Sequence, residues 1–254
     1  MCDMSFNDFF NWTWTYKLKS DESYGYISVW NNEGEIIGPK VDMRWLSVDK
    51  MKPIDNDLKN KLSSKKYAAA WFVSNCKSVG GRENIAKQLK EELMKNNLDL
   101  HVYGHCGERS CPRKSTEKCL QMIQTDYYFY LSFENSFSED YVTEKLLNAL
   151  KNYAVPVVYG GANYTRFLPD GIYLDARKMS VPELAEKMAE LIKDKEKYYS
   201  YFKWHNHYSY HDQVDDSETD PYCRLCAMIN DDRRLQEFSS YRNFVDWWSE
   251  SRCH

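Results

Sequence analysis

Tyr127-Tyr128-Phe129-Tyr130-Leu131-Ser132-Phe133 is an apolar run that gives way at once to the polar stretch Glu134-Asn135-Ser136-Phe137-Ser138-Glu139-Asp140-Tyr141-Val142-Thr143-Glu144-Lys145. A short run of this kind reads as a strand buried on both faces. Behind it Val142, Leu146 and Leu150 mark one face of a helix predicted from about Glu139 to Leu150. The alternation extends outward in both directions. Upstream, Tyr67 to Val73 reads as a strand, Ile85, Leu89 and Leu93 as a helix face, Leu98, Leu100 and Val102 as a strand, and Ser115 to Ile123 as a short helix. Downstream, Val155 to Tyr159 reads as a strand, and Leu184, Met188, Leu191 and Ile192 mark a helix after Pro182, whose fixed φ suits a first turn. Strand-helix units in series predict an α/β fold: a Rossmann-like parallel sheet over residues 67–210, with ligands at the carboxyl ends of its strands.

The flanks read differently. Residues 1–66 are mixed and aromatic, with turn signals at Asn31-Asn32 and Gly38-Pro39, and suggest a domain remnant and linker. Residues 211–254 form a tail in which Trp247-Trp248 packs a closing helix. The 254 residues are 43% hydrophobic and 15% aromatic, with 20 Tyr and 8 Trp, which excludes a disordered chain. A net charge of −4 without a basic stripe argues against nucleic-acid binding, so any phosphate chemistry must be local. Eight cysteines and two sequons, Asn11-Trp12-Thr13 and Asn163-Tyr164-Thr165, favour an oxidising lumen and glycosylation at Asn11 and Asn163. No run of about 18 apolar residues and no signal-peptide pattern accompanies them, so either the chain is cytosolic, against its cysteines and sequons, or it is a piece of a longer protein whose anchor lies outside these residues.

Two strand-to-helix junctions carry the candidate chemistry. In Ser74-Asn75-Cys76-Lys77-Ser78-Val79-Gly80-Gly81-Arg82 the glycine pair lets backbone approach a ligand, and Arg82 adds a guanidinium in the first helical turn. The same spacing also suits a surface loop in which Arg82 meets a nearby carboxylate. In the second junction Ser138 could cap the helix, with Glu139 and Asp140 in its positive first turn. Lys145 offers a point charge for phosphate, Glu144 can accept hydrogen bonds from ribose hydroxyls, and Tyr141 adds a ring face and a hydroxyl. A Glu-Lys pair on a helix is more often a solvated face.

The string Phe133-Glu134-Asn135-Ser136, Asp140-Tyr141-Val142-Thr143-Glu144-Lys145-Leu146, then Asn148-Ala149-Leu150, Val155-Pro156-Val157-Val158-Tyr159-Gly160 and Asn163-Tyr164 with Phe167 and Pro169, resembles the signature of the α1,3-fucosyltransferase family. The likeness reaches Phe10-Asn11-Trp12-Thr13 and Ser20-Asp21 on one side, and Tyr198 to Trp204 and Cys223-Arg224-Leu225-Cys226 on the other. It implies the donor-binding part of a GT-B glycosyltransferase, with residues 1–66 a remnant of the N-terminal acceptor domain and 211–254 packing back towards that domain. The implied reaction is inverting transfer of L-fucose from GDP-β-L-fucose to N-acetylglucosamine of a glycoprotein N-glycan, in the Golgi lumen, by a type II membrane protein. The alternative is a truncated, non-catalytic nucleotide-sugar-binding protein.

By motif match, Arg82 and Lys145 would hold the diphosphate and Glu144 the ribose, while Asn135 and Tyr141 would line the nucleotide-sugar pocket. Two fixed cations stabilise a departing diphosphate more than the bound ground state, so no cofactor is required, although a divalent cation could add stimulation. The family's general-base glutamate is expected upstream of Met1, and Asp21, in a turn, reads as structural. The family also implies that Cys223 and Cys226 pair with the N-terminal domain, leaving them unpartnered here, and that one of the local cysteines is unpaired. Cys223-Arg224-Leu225-Cys226 with His205, His207 and His211 makes a poor zinc set, lacking a second C-x-x-C. The rings of Tyr127 to Tyr130 and Tyr198 to Trp204 read as core rather than sugar platforms.

Overall fold

A computed structural model describes residues 6–236 and 240–249. Its contacts divide the chain into two compact units, one spanning Tyr26–Asp212 and the other combining the described parts of Met1–Gly25 and Gln213–His254.

The larger unit is built on five parallel strands: β5 (Tyr67–Phe72), β6 (Leu100–Tyr103), β7 (Tyr127–Phe133), β8 (Val155–Tyr159) and β9 (Leu174–Asp175). Their spatial order is β6-β5-β7-β8-β9. Counted from β5 this is the doubly wound order 2-1-3-4-5, which reverses direction between β5 and β7. All seven residues of β7 are buried. Phe129, Leu131 and Phe133 point to a core shared with Leu89 and Leu93 of α2 (Arg82–Lys95), Leu184 and Met188 of α5 (Val181–Lys193) and Tyr198 of α6 (Lys195–Ser200). Tyr130 turns to the opposite face, where Ile123 of α3 (Thr116–Asp126) and Ala149 of α4 (Glu144–Lys151) cover it. Each such apolar side chain removed from water contributes about 1.5–3 kcal/mol, and coverage on both faces is why β7 and β8 read as unbroken apolar runs. Tyr127 to Tyr130, Tyr198, Phe202 and Trp204 are all core.

Helix boundaries follow local chemistry. Asp55 caps α1 (Asn56–Ser63) at the Leu58 N–H, and Ser180 with Glu183 forms a full capping box on α5, with Pro182 in its first turn.

The start of α4 departs from the sequence expectation. The helix begins at Glu144, not near Glu139, and Ser138 does not cap it. Asp140 adopts a left-handed φ of 58°, and its buried carboxylate pairs with the Arg166 guanidinium at 2.6 Å, as does Glu139 at 2.7 Å. These two acids serve a pair 26 and 27 residues away, which outweighs their preference for a helical first turn.

Residues 26–66 hold more structure than a linker. β3 (Ile27–Asn31) lies between β4 (Ile36–Gly38) and β10 (Tyr208–Asp212) in an antiparallel sheet, and α4 packs on β10. In the smaller unit, β1 (Trp14–Thr15) and β2 (Glu22–Ser23) pair alongside α7 (Pro221–Ile229), α8 (Asp232–Gln236) and α9 (Phe244–Ser249). Asp21 accepts hydrogen bonds from the Thr13 N–H, the Thr13 hydroxyl and the Tyr241 hydroxyl at 2.8–2.9 Å, a structural clasp. Trp247 gives its carbonyl to the Lys17 ammonium. Among the described residues no helix is long and apolar enough to cross a membrane.

Candidate functional site

In a doubly wound sheet the loops on either side of the reversal part, leaving a crevice at the carboxyl ends of the strands. Here those loops are the β5–α2 and β7–α4 junctions, the two stretches singled out by their sequence.

The first is shaped by its glycine pair. Gly81 enters α2 at φ 63°, a left-handed N-cap with no side-chain acceptor. A Cβ on Gly80 would fall 2.3 Å from the Phe137 ring of the second loop, so the two loops touch because this residue has no side chain. Tyr159 reinforces the contact, donating its hydroxyl to the Gly80 carbonyl at 3.1 Å while its ring meets Phe137 edge-on.

Arg82 is buried and turns inward across the top of the sheet. It donates to the Phe133 carbonyl at 2.7 Å and the Asn75 carbonyl at 3.1 Å, with its guanidinium above the Trp71 ring. Its Nε makes no hydrogen bond and lies 3.6 Å from Glu83.

The residue after Phe133 receives the second cation. Lys145, in the first turn of α4, brings its ammonium to Glu134 at 3.1 Å, the Thr143 hydroxyl at 2.6 Å and Glu144 at 3.2 Å. Its side chain is 16% exposed, against 1% for Glu134 and 54% for Glu144. Glu134 also accepts from the Thr143 N–H at 2.8 Å and from the Thr143 hydroxyl. Burial pushes the Glu134 carboxyl above the usual carboxylate range, and Lys145 and the Thr143 bonds oppose that rise. Asn135 has a buried Oδ1 with no hydrogen-bond partner, and Tyr141 is half-buried in the same loop.

The structure therefore gathers Arg82, Asn135, Glu144 and Lys145 around the end of β7, with Tyr141 in the adjoining loop. The two cations share no acceptor: one bonds the Phe133 carbonyl, the other the Glu134 carboxylate. Asn11 and Asn163 are exposed, and Asn163 accepts from the Thr165 N–H and hydroxyl.

The cysteines correct one expectation. Cys76 pairs with Cys106, tying the β5–α2 loop to the segment after the neighbouring strand β6, and Cys111 pairs with Cys119. No cysteine of this group is left over, because parallel neighbours β5 and β6 deliver Cys76 and Cys106 to a Cα separation of 5.3 Å. Cys223 and Cys226 are unpaired and exposed on α7, whereas Cys2 and Cys253 lie outside the described residues. Among the described residues no group of three or more His, Cys, Asp or Glu is placed to hold a metal ion. His205 is instead stacked on Trp204 and Tyr153.

Both junctions fall within residues 62–248, which match the family model for the C-terminal part of glycosyltransferase family 10 (fucosyltransferase). The chain belongs to glycosyltransferase family 10. Among family-10 relatives, alpha-(1,3)-fucosyltransferase C of Drosophila melanogaster is 37% identical over 248 residues, covering 96% of this chain and 55% of the relative. Glycoprotein 3-alpha-L-fucosyltransferase A of the same organism is 32% identical over 239 residues, covering 92% and 45%. The chain spans about half the length of the curated relatives it matches. A solved alpha1,3-fucosyltransferase with GDP-fucose aligns over 66% of this chain and 51% of its own, at 18% identity and a TM-score of 0.45.

One residue at the end of β7 escaped the sequence reading. Glu134 stands inside the quoted motif, yet nothing in the pattern separates a buried acid that fixes Lys145 from a solvated one. Its position directly after a fully buried strand was the available signal.

Proposed function

We propose that the chain is the donor-binding part of an inverting α1,3-fucosyltransferase of GT-B architecture, moving L-fucose from GDP-β-L-fucose to N-acetylglucosamine of glycoprotein N-glycans. The observation that carries this reading is that two cation-bearing junctions meet at the β5/β7 reversal of the sheet, both inside the family-10 match.

In this proposal the diphosphate lies between the junctions. Lys145 meets it from α4, and Arg82 meets it from α2 through N–H groups not given to Phe133 and Asn75. The exposed Glu144 accepts from the ribose, while Asn135 offers its unpartnered Oδ1 and Tyr141 its ring to the nucleotide sugar. As fucose departs, positive charge builds at the anomeric carbon and negative charge on GDP. Cations fixed beforehand favour that state over the ground state and can take the charge a metal would otherwise take. A divalent cation would add to them through the diphosphate itself.

The same reading places the enzyme in the Golgi lumen as a type II membrane protein, with residues 1–66 belonging to the acceptor side and glycans at Asn11 and Asn163. Titration with GDP by calorimetry, followed by fucose transfer from GDP-fucose to a glycan ending in N-acetylglucosamine, tests it. Saturable GDP binding and labelled product are expected; absence of GDP binding would defeat the donor assignment.

A further inference from the structure

We propose that Glu134 is a positioning residue for the donor site: its buried carboxylate sets the Lys145 ammonium and the first turn of α4 in place before the diphosphate arrives. The proposal rests on the donor reading above and names a residue that the reading does not use.

Lysine carries its charge on a flexible four-carbon stem, and holding the ammonium at one point costs side-chain freedom. Here that cost is met within the protein. Glu134 sits at the end of β7, a strand covered on both faces, and is 1% exposed, so it has little room to move. Its two oxygens receive the Thr143 N–H, the Thr143 hydroxyl and the Lys145 ammonium. Thr143 is the N-cap of α4 but makes no cap bond with its own side chain. From outside the helix, the carboxylate of Glu134 accepts the Thr143 N–H, the backbone group that the acid of a capping box would take, and a negative charge at a helix N-terminus is favourable. One side chain therefore fixes both the helix start and the cation in its first turn. The Thr143 hydroxyl, 2.6 Å from the ammonium, completes the clasp. Such a preset donor strengthens anion binding because ordering is not required at the moment of contact.

Charge and position make opposite predictions for Glu134→Gln. Removing a negative charge beside an anion site would, by Coulomb attraction alone, tighten GDP binding. Loss of positioning would weaken it, since the new amide N–H₂ would face the Lys145 ammonium, donor against donor.

The test is calorimetric titration of GDP into the 254-residue chain and its Glu134→Gln, Glu134→Asp, Lys145→Ala and Glu134→Gln/Lys145→Ala variants. Glu134→Gln is expected to weaken GDP by about tenfold, Glu134→Asp to recover part of that loss, and the double variant to bind no more weakly than Lys145→Ala, because the two act through one group. Unchanged or tighter binding by Glu134→Gln, or additive losses in the double variant, would overturn the proposal. If Glu134→Gln does not fold, the Lys145 ammonium is observed in unaltered, ¹⁵N-lysine-labelled protein without nucleotide. A slowly exchanging ammonium signal supports the clasp, and one averaged by solvent exchange overturns it. Failure of the unaltered chain to bind GDP would instead sink the donor reading, and this inference with it.

Discussion

Two lysines stand at opposite ends of the same sheet and do different work. Lys65, just before β5, is 5% exposed and gives its ammonium to the carbonyls of Ile123, Gln124 and Tyr127, closing the end of α3 against the start of β7. Lys145, in the first turn of the helix that follows β7, gives its ammonium to side chains and keeps part of its surface. Backbone acceptors cannot leave without unfolding the elements that carry them, whereas an ammonium held by side chains and still partly exposed keeps a face for an arriving anion. Burial lowers the Lys65 ammonium to about 7, a penalty suited to structure. The amino end of the sheet is thus a seam, and the carboxyl end keeps a partly exposed cation.

The contrast can be broken in several places. The largest effect is expected from Cys76→Ser with Cys106→Ser, which unties the β5–α2 loop at the carboxyl end: closing a loop of 30 residues is worth about 3–4 kcal/mol, read as a lower melting temperature under non-reducing conditions. Lys65→Met, which strands three carbonyls at the amino end, should cost about 3 kcal/mol in denaturant unfolding while the folded variant binds GDP as before. Weakened GDP binding at unchanged stability would blur the distinction between the two ends. Lys145→Ala should lose about thirtyfold in GDP affinity, on the order of 2 kcal/mol, and should also lower the melting temperature, because it leaves the buried Glu134 without its cation.

The smallest effect sharpens the amino end. His205 is held down to about 4 by burial first and by the Lys61 charge second. Its folded pKa lies below the unfolded value, so the unfolded chain takes up the proton first. The stability of its neutral, stacked form is whole above about pH 6.5 and is lost as pH falls towards 4. Between about pH 7 and pH 5 the loss should be ~1–2 kcal/mol, and His205→Phe, which keeps the stack on Trp204 and Tyr153, should flatten it. An unaltered slope in that variant would assign the pH dependence elsewhere.

Legibility followed the range of the interactions. The limits of β7 and β8 could be read because burial on both faces writes itself as continuous apolar sequence, and the presence of α5 because Leu184, Met188, Leu191 and Ile192 recur on one face after Pro182, all within their own helix. The start of α4 could not, because Asp140 answers to Arg166 and the Thr143 N–H to Glu134, neither of which is local. β3 and β10 pair across most of the chain, so the strands within residues 1–66, read as a domain remnant and linker, could not be seen from their own sequence. Arg82, Asn135, Glu144 and Lys145 were named together through the family resemblance; that Arg82 lies buried against Phe133, and that Cys76 meets Cys106, needed three dimensions.

The central claim, that the two junctions at the β5/β7 reversal receive the nucleotide, is tested most directly by hydrogen–deuterium exchange of the chain with and without GDP. Slower exchange is expected in residues 74–84 and 134–145, with no change around Lys65 and the end of α3. Unaltered exchange in both junctions under saturating GDP, or protection confined to another surface, would contradict it.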